Sequence, residues 1–424
     1  MTTSSLAVSA GVLCCALSGA ASAQQKLDLH WSGFATVGAV HSDDDRADFV
    51  ATRIQPDGAG KTREWAFSTD SRVGAQMNLR LDDRFEVVAQ VVAQQQYDKQ
   101  FKPAVEWLNL SYKVNDEWRL RLGRTALPVY MIADSRHVGY GMPWVRVPTE
   151  VYGTLPLTSN DGVDVSWRSR WGDASNSLQL FAGRTSVRSL IAKASSKATM
   201  GIANTLERGA LTLRGSFARY DYDAQTPDGV AFQEGAEQLI KLAESIPLPD
   251  FQQAAAEGRR LTDRYRLVGR TLNVAALGLN YDPGQFFVSG EWVSLKGGGY
   301  LASSKSWYVG GGLRLGAWTP YASYSRTTPD IPVEPYIHAT GVAAIDDPAR
   351  LAVDALNDSL RTLNAEQSTA ALGLRWDVAR NLALKAQWER IHLGPRSIGR
   401  LTNADADIQG ERVDVFSVVA DYVF

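Results

Sequence analysis

After residue 28, apolar and polar positions alternate with a two-residue period along most of the chain. Within 70–82, Val73, Ala75, Met77, Leu79 and Leu81 share one face, and Arg72, Gln76, Asn78 and Arg80 share the other. The short Asp82-Asp83-Arg84 turn reverses the chain into 84–97, where Phe85, Val87, Ala89, Val91 and Ala93 oppose Glu86, Gln90 and Gln94. That is a hairpin. The same pattern predicts strands at 29–40, 103–114, 117–124, 161–170, 176–185, 197–205, 210–222 and 264–281, then at 285–296, 305–316, 317–327, 366–378, 380–393 and 413–424. These make sixteen strands joined alternately by short turns and long loops, seven short and eight long. An even count with that alternation places both ends of the barrel sequence on the short-turn side. Helix-like spacing of apolar residues occurs inside two long loops, at 235–243 within a stretch reaching 257, and at 347–363.

The direction of the charges decides what kind of β-structure this is. Trp118, Leu120 and Leu122 oppose Arg119 and Arg121; Val163, Val165 and Trp167 oppose Asp164, Arg168 and Arg170. Leu372, Leu374 and Trp376 oppose Arg375 and Asp377, and Leu382, Leu384, Ala386 and Trp388 oppose Lys385, Gln387 and Glu389. An arginine facing lipid at the bilayer midplane costs about 2–4 kcal/mol, so the charged face must border water and the apolar face lipid. The expectation is an all-β chain: a 16-stranded antiparallel transmembrane β-barrel, apolar outside and polar inside. Its expected pore-lining residues are Arg72, Arg80, Glu86, Arg119, Arg121, Asp164, Arg168, Arg170, Arg214, Arg314, Arg375 and Lys385. Trp31, Trp118, Trp167, Trp292, Trp307, Trp376, Trp388 and Tyr422 are the candidates for interfacial aromatic girdles.

Composition narrows the function. No run of 18 apolar residues follows the first 23, so no membrane-spanning helix is expected. Residues 1–23 are uncharged and apolar and end in Ala21-Ser22-Ala23, as a cleavable signal peptide does, although no Lys or Arg stands near Met1. Residues 24–424 then form the barrel domain. Both cysteines, Cys14 and Cys15, lie in that leader, which leaves no thiol for catalysis or metal binding. The five histidines, His30, His41, His137, His338 and His392, sit in no nucleophile or metal-ligand spacing. No enzyme activity, cofactor or metal is expected. A net charge of −2 implies no attraction to nucleic acid.

The closing strand brings in a family. Phe416, Val418, Ala420, Tyr422 and the terminal Phe424 form its apolar face. Sixteen strands, a final Phe424 and an extended third loop resemble the trimeric general porins of Gram-negative bacteria. The resemblance implies an outer-membrane location and a water-filled channel for passive diffusion of small hydrophilic solutes and ions. It implies a homotrimer among outer-membrane lipid and lipopolysaccharide, inserted by a barrel assembly machinery that reads Tyr422 and Phe424. It also implies that the third loop, 125–160, folds inward and sets the constriction, with Asp134, Arg136, Arg146 and Glu150 facing the passage. This loop is longer than the family's acidic motif and mixes basic with acidic residues. The excess of wall arginines over wall acids suggests a weak preference for anions. A channel specific for small carboxylates or other anions, a sugar slide of Tyr130, Tyr140, Trp144 and Tyr152, and a loop-based surface receptor are the alternatives. For trimer packing, Gly33, Ala35, Gly38 and Ala39 are expected to offer a flat face on the first strand.

Overall fold

The computed structural model describes residues 27–155, 157–189 and 193–424. The expected leader and both cysteines lie outside the described residues.

Sixteen long strands form one antiparallel sheet that closes on itself. They are β1 (Asp28–Ser42), β2 (Arg72–Arg80), β3 (Phe85–Gln95), β4 (Phe101–Lys113), β5 (Trp118–Ala126), β6 (Ser159–Trp171), β7 (Ala174–Arg188) and β8 (Lys193–Arg208). The remainder are β9 (Leu211–Gln225), β10 (Arg270–Tyr281), β11 (Phe286–Lys296), β12 (Ser303–Leu313), β13 (Trp318–Asp330), β14 (Gln367–Ala379), β15 (Leu382–Leu393) and β16 (Arg412–Val423). Each corresponds to one strand expected from periodicity. β1 pairs with β2 on one side and with β16 on the other, in a register that sets Phe34 opposite Val423 and Ser42 opposite Val415. Closure leaves the barrel no open edge.

The short turns form where polar side chains cap the backbone. Asp82 accepts from the amides of Arg84 and Phe85, and Asn115 accepts from those of Glu117 and Trp118. Gly172 and Gly209 adopt φ of 62° and 55° in their turns, a conformation that a side chain disfavours. Inside the barrel, large aromatics lie over cross-strand glycines: Phe34 on Gly74, Phe181 on Gly201, Phe287 on Gly312 and Tyr321 on Gly373. These pairs cover backbone that would otherwise be thinly packed.

Outside, aromatic pairs ring the short-turn end: Trp118 with Trp167, Trp318 with Trp376, Phe85 with Tyr112 and Tyr281 with Phe286. Phe424 completes the seam on this face. Its amide and carbonyl each bond Gly33 at 3.0 Å, and its ring lies over Gly33 while facing outward. The small-residue face of β1 needs a correction. Gly33, Ala35 and Ala39 share the outer parity, whereas Gly38 packs inward against Asp70 and Val419.

The loop end is less uniform than expected. Connections 96–100, 189–192 and 297–302 are short, so the long loops are 43–71, 127–158, 226–269, 331–366 and 394–411. Within 127–158, a single helical turn, α1 (Thr149–Tyr152), follows Pro148. The two helix-like stretches are helical, and a third helix accompanies them: α2 (Pro227–Glu244), α3 (Pro249–Arg264) and α4 (Ala343–Leu363). Thr226 caps α2 by accepting from Gly229, with Pro227 at its first position. Ile240, Ala243, Phe251, Ala255 and Ile345 bury the seam between the three helices. Arg264 and Tyr265 both reach Glu334, at 2.8 and 2.6 Å, and tie the end of α3 to the segment 331–342 that leads into α4. Loops 43–71 and 394–411 form a second packed unit around Phe49, Leu401 and Ile408.

Candidate functional site

The third loop leaves β5 at Leu127, and Pro128, Pro143 and Pro148 keep it from pairing as a strand. Its main-chain carbonyls therefore need donors from elsewhere. The inner wall supplies them. Arg214 donates to the carbonyl of Pro128 at 2.9 Å, Ser216 to Val129 at 2.5 Å and Arg72 to His137 at 2.8 Å. Lys385 donates to Gly139 and Trp144, and Arg375 to Tyr140 and Met142, over 2.7–3.1 Å. These donors stand on β2, β9, β14 and β15, so the loop is strapped across the lumen rather than laid along one wall.

Side chains complete the strap. Glu291 of β11 accepts from the Met131 amide and the Tyr152 hydroxyl, at 3.0 and 2.7 Å. Trp144 sits edge-on among Phe287, Tyr308 and Tyr321, with ring centres 5.5–6.3 Å away. Arg146 forks onto Asp70 at 3.0 and 2.6 Å, reaches Glu389 and Ser417, and lies over the Phe49 ring. Glu150 accepts from Ser325, Gln367 and Thr369. Arg400, from the last loop, closes over the Glu150 carbonyl and the Thr154 hydroxyl.

These contacts redistribute the expected pore lining. Arg146 and Glu150 were expected to face the passage; they are 5% and 1% exposed and fasten the loop instead. Lys385, paired with Asp421 at 2.8 Å and 1% exposed, is sealed under the loop, while Arg72, Arg214 and Arg375 spend their donors on loop carbonyls. The alternative of an aromatic slide loses its rings, because Tyr130, Trp144 and Tyr152 are buried against the wall and Tyr140 lies under Arg375.

Open charges remain on β5, β6 and the loop. Arg121 pairs at 2.9 Å with Asp164, which was expected to line the pore but is 1% exposed, and the exposed Asp134 of the loop lies within electrostatic range of Asp164 and Arg214. Arg119, Arg168 and Arg170 are exposed on the inner parity of β5 and β6, with no side-chain partner among the described residues. Glu86 bonds Asn78, Arg80 pairs with Asp28 at the short-turn mouth, and Arg314 pairs with Asp282 at a turn. Arg136 and His137 occupy the loop's elbow beside Glu106, whose carboxylate is 3.7 Å from the imidazole. Burial holds the His137 imidazole below its ordinary value, against the pull of Glu106.

Several anchors escaped the sequence reading: Asp70, Ser325, Gln367, Thr369 and Arg400. Asp421 and Ser417 carried a signal, since both stand on the polar face of the last strand. Among the described residues, no cluster of His, Cys, Asp or Glu could hold a metal ion.

A family model described as Gram-negative porin matches residues 7–424. The chain belongs to the Gram-negative porin family. It is therefore an outer-membrane channel protein. A search of curated proteins finds no match. Among solved structures the porin is similar in fold to the anion-selective porin from Comamonas acidovorans, at 12% identity and a TM-score of 0.51, covering 94% of this chain and 100% of that one. It is also similar to the outer membrane channel DcaP of Acinetobacter baumannii, at 11% identity and a TM-score of 0.52, covering 95% and 99%. A third is the trimer form of OmpT from Vibrio cholerae, at 10% identity and a TM-score of 0.50, covering 94% and 99%.

Proposed function

We propose that the porin passes small hydrophilic solutes by passive diffusion through the part of the lumen that the third loop leaves open, with a preference for anions. One observation carries the preference. Arg119, Arg168 and Arg170 face the lumen without side-chain partners among the described residues, while Glu150, Glu291, Glu389 and Asp421 are engaged in holding the loop. Fixed charges that line a pore bias which ions enter it. The residues nearest the passage in this reading are Arg119, Arg121, Asp134, Arg168 and Arg170, with 125–160 as the constriction and 24–424 as the mature channel after removal of 1–23. Small carboxylates suit the same arginines.

We extend the proposal to a homotrimer. The outer face of β1, with Gly33, Ala35 and Ala39 around the two-thirds exposed Val37, offers a flat contact, and a fold neighbour is described as a trimer.

The test is the reversal potential of refolded protein in a planar bilayer under a tenfold KCl gradient. An anion-biased potential that moves toward the cation side in R168E/R170E supports the reading. A cation-biased wild type, or a potential indifferent to both substitutions, overturns the preference. Absence of conductance from folded protein overturns the diffusion reading itself.

A further inference from the structure

Among the described residues three cationic side chains are buried: Arg146, Lys385 and Arg400. Two of them have their counter-charge. Arg146 is bracketed by Asp70 and Glu389, and Lys385 lies 2.8 Å from Asp421. Arg400, 7% exposed, forms no ion pair among the described residues. One of its terminal nitrogens donates to the Glu150 carbonyl and the Thr154 hydroxyl, at 3.2 and 2.8 Å, while its buried Nε meets no acceptor there. A buried charge is ordinarily paired and a buried N–H ordinarily bonded.

A second arginine stands beside it. Arg53, half-buried in loop 43–71, donates at 2.9 Å to the carbonyl of Gly399, the residue before Arg400. That is its one side-chain hydrogen bond among the described residues, and it has no ion pair there either. The acid within electrostatic range of Arg400 is Glu150, and both its oxygens are engaged, Oε1 by Gln367 and Thr369 and Oε2 by Ser325. Other acids of the two outer loops serve other cations, Asp44 meeting Arg46 and Asp405 meeting Lys61 at 2.6 and 2.5 Å. Burial, with the Arg53 charge close by, draws the Arg400 guanidinium down to about 9. Two guanidinium groups are thus set side by side with donors unused, where loops 43–71 and 394–411 meet α1 of the strap.

We propose that Arg53 and Arg400 hold a small oxyanion from solution, a carboxylate or a phosphate, at the junction of these three loops. The planar guanidinium fork matches the oxygens of either anion. The anion supplies the counter-charge that the chain does not, accepts from the Arg400 Nε and from the unused donors of Arg53, and moors the strap to the two outer loops. Half-exposed Arg53 marks the side from which it enters. The site lies at the loop end, away from Arg119, Arg168 and Arg170 at the short-turn ends of β5 and β6, and does not rest on which ions permeate.

Isothermal titration calorimetry of the refolded, delipidated channel in detergent tests it, with inorganic phosphate and acetate as separate titrants at constant ionic strength. The wild type is expected to show one saturable site per chain. R53Q and R400Q should each weaken it on the order of tenfold, the effect of losing one charge-assisted hydrogen bond. R168E/R170E alters the lumen at the opposite end and should bind as the wild type does. Far-ultraviolet circular dichroism checks the barrel of each variant; R53Q, at the half-exposed position, carries the test if R400Q does not fold. Mooring is read in single-channel records, where phosphate should quieten the open-channel current of the wild type and leave that of R53Q unchanged. Absence of saturable binding in the wild type, binding by R53Q equal to the wild type, or loss of binding in R168E/R170E overturns the proposal. So does wild-type noise that phosphate leaves unaltered.

Discussion

Arg146 shows how far one side chain can serve two ends of a sequence. It is fully enclosed and bridges Asp70, Glu389 and Ser417, residues from a loop and two strands far apart in the chain. Replacing it with methionine leaves two buried carboxylates without a counter-charge, which costs about 3–5 kcal/mol. R146M should therefore unfold at lower denaturant concentration and release its loop, read as higher and noisier conductance. His137 sets a pH dependence of known sign. Burial lowers its affinity for a proton in the folded state, whereas the unfolded chain takes up its proton near the ordinary value of about 6.5. Above that pH it contributes nothing to the difference; as pH falls below it, the unfolded chain binds more protons and stability drops. Glu106, Arg136 and Arg72 are the charged groups around it. The stability lost between pH 7.5 and 5.5 should be smaller in H137Q than in the wild type, and an identical loss in both would exclude the residue.

At the scale of elements, the third loop behaves as a packed strap because its buried carbonyls, aromatic anchors and ion pairs are all satisfied by the wall. Trp144 is its central wedge, and W144A is expected to cost about 3–5 kcal/mol and to raise conductance at unchanged barrel content, measured by single-channel recording and far-ultraviolet circular dichroism. The helical cap is organised differently. Its contacts are mainly α2 with α3 and α4, around Ile240, Phe251 and Ile345, so it is a module resting on the barrel. Replacing 227–264 with a short turn should leave a folded, conducting barrel; failure to refold would show that the cap supports the wall. In the sequence the strand pattern was legible because lipid on one side and water on the other impose a period of two. The strap was not legible, because its partners are main-chain carbonyls, which every residue has. Arginine on a polar face reads the same whether it meets water or a carbonyl.

For the whole molecule, the barrel sorts charge by location. Partnered charges lie behind the strap, while Arg119, Arg168 and Arg170, without side-chain partners among the described residues, stand at the short-turn ends of β5 and β6. The trimer prediction belongs at this scale. Val37 is 66% exposed at the centre of the small-residue face of β1, and V37R should convert a trimer into monomers on unheated gels while keeping conductance. A wild type that runs as a monomer in native outer-membrane extracts would reject the trimer.

By itself the sequence determined the number of strands, their faces, the side on which the termini lie and the family. All of these follow from alternation, which is a local property enforced everywhere by the same boundary between lipid and water. The tertiary structure alone decided which wall charges remain open to solutes. That depends on where a loop without periodicity crosses the lumen, and on partners such as Asp70, Glu389 and Arg400 that only closure of the barrel brings within hydrogen-bond reach.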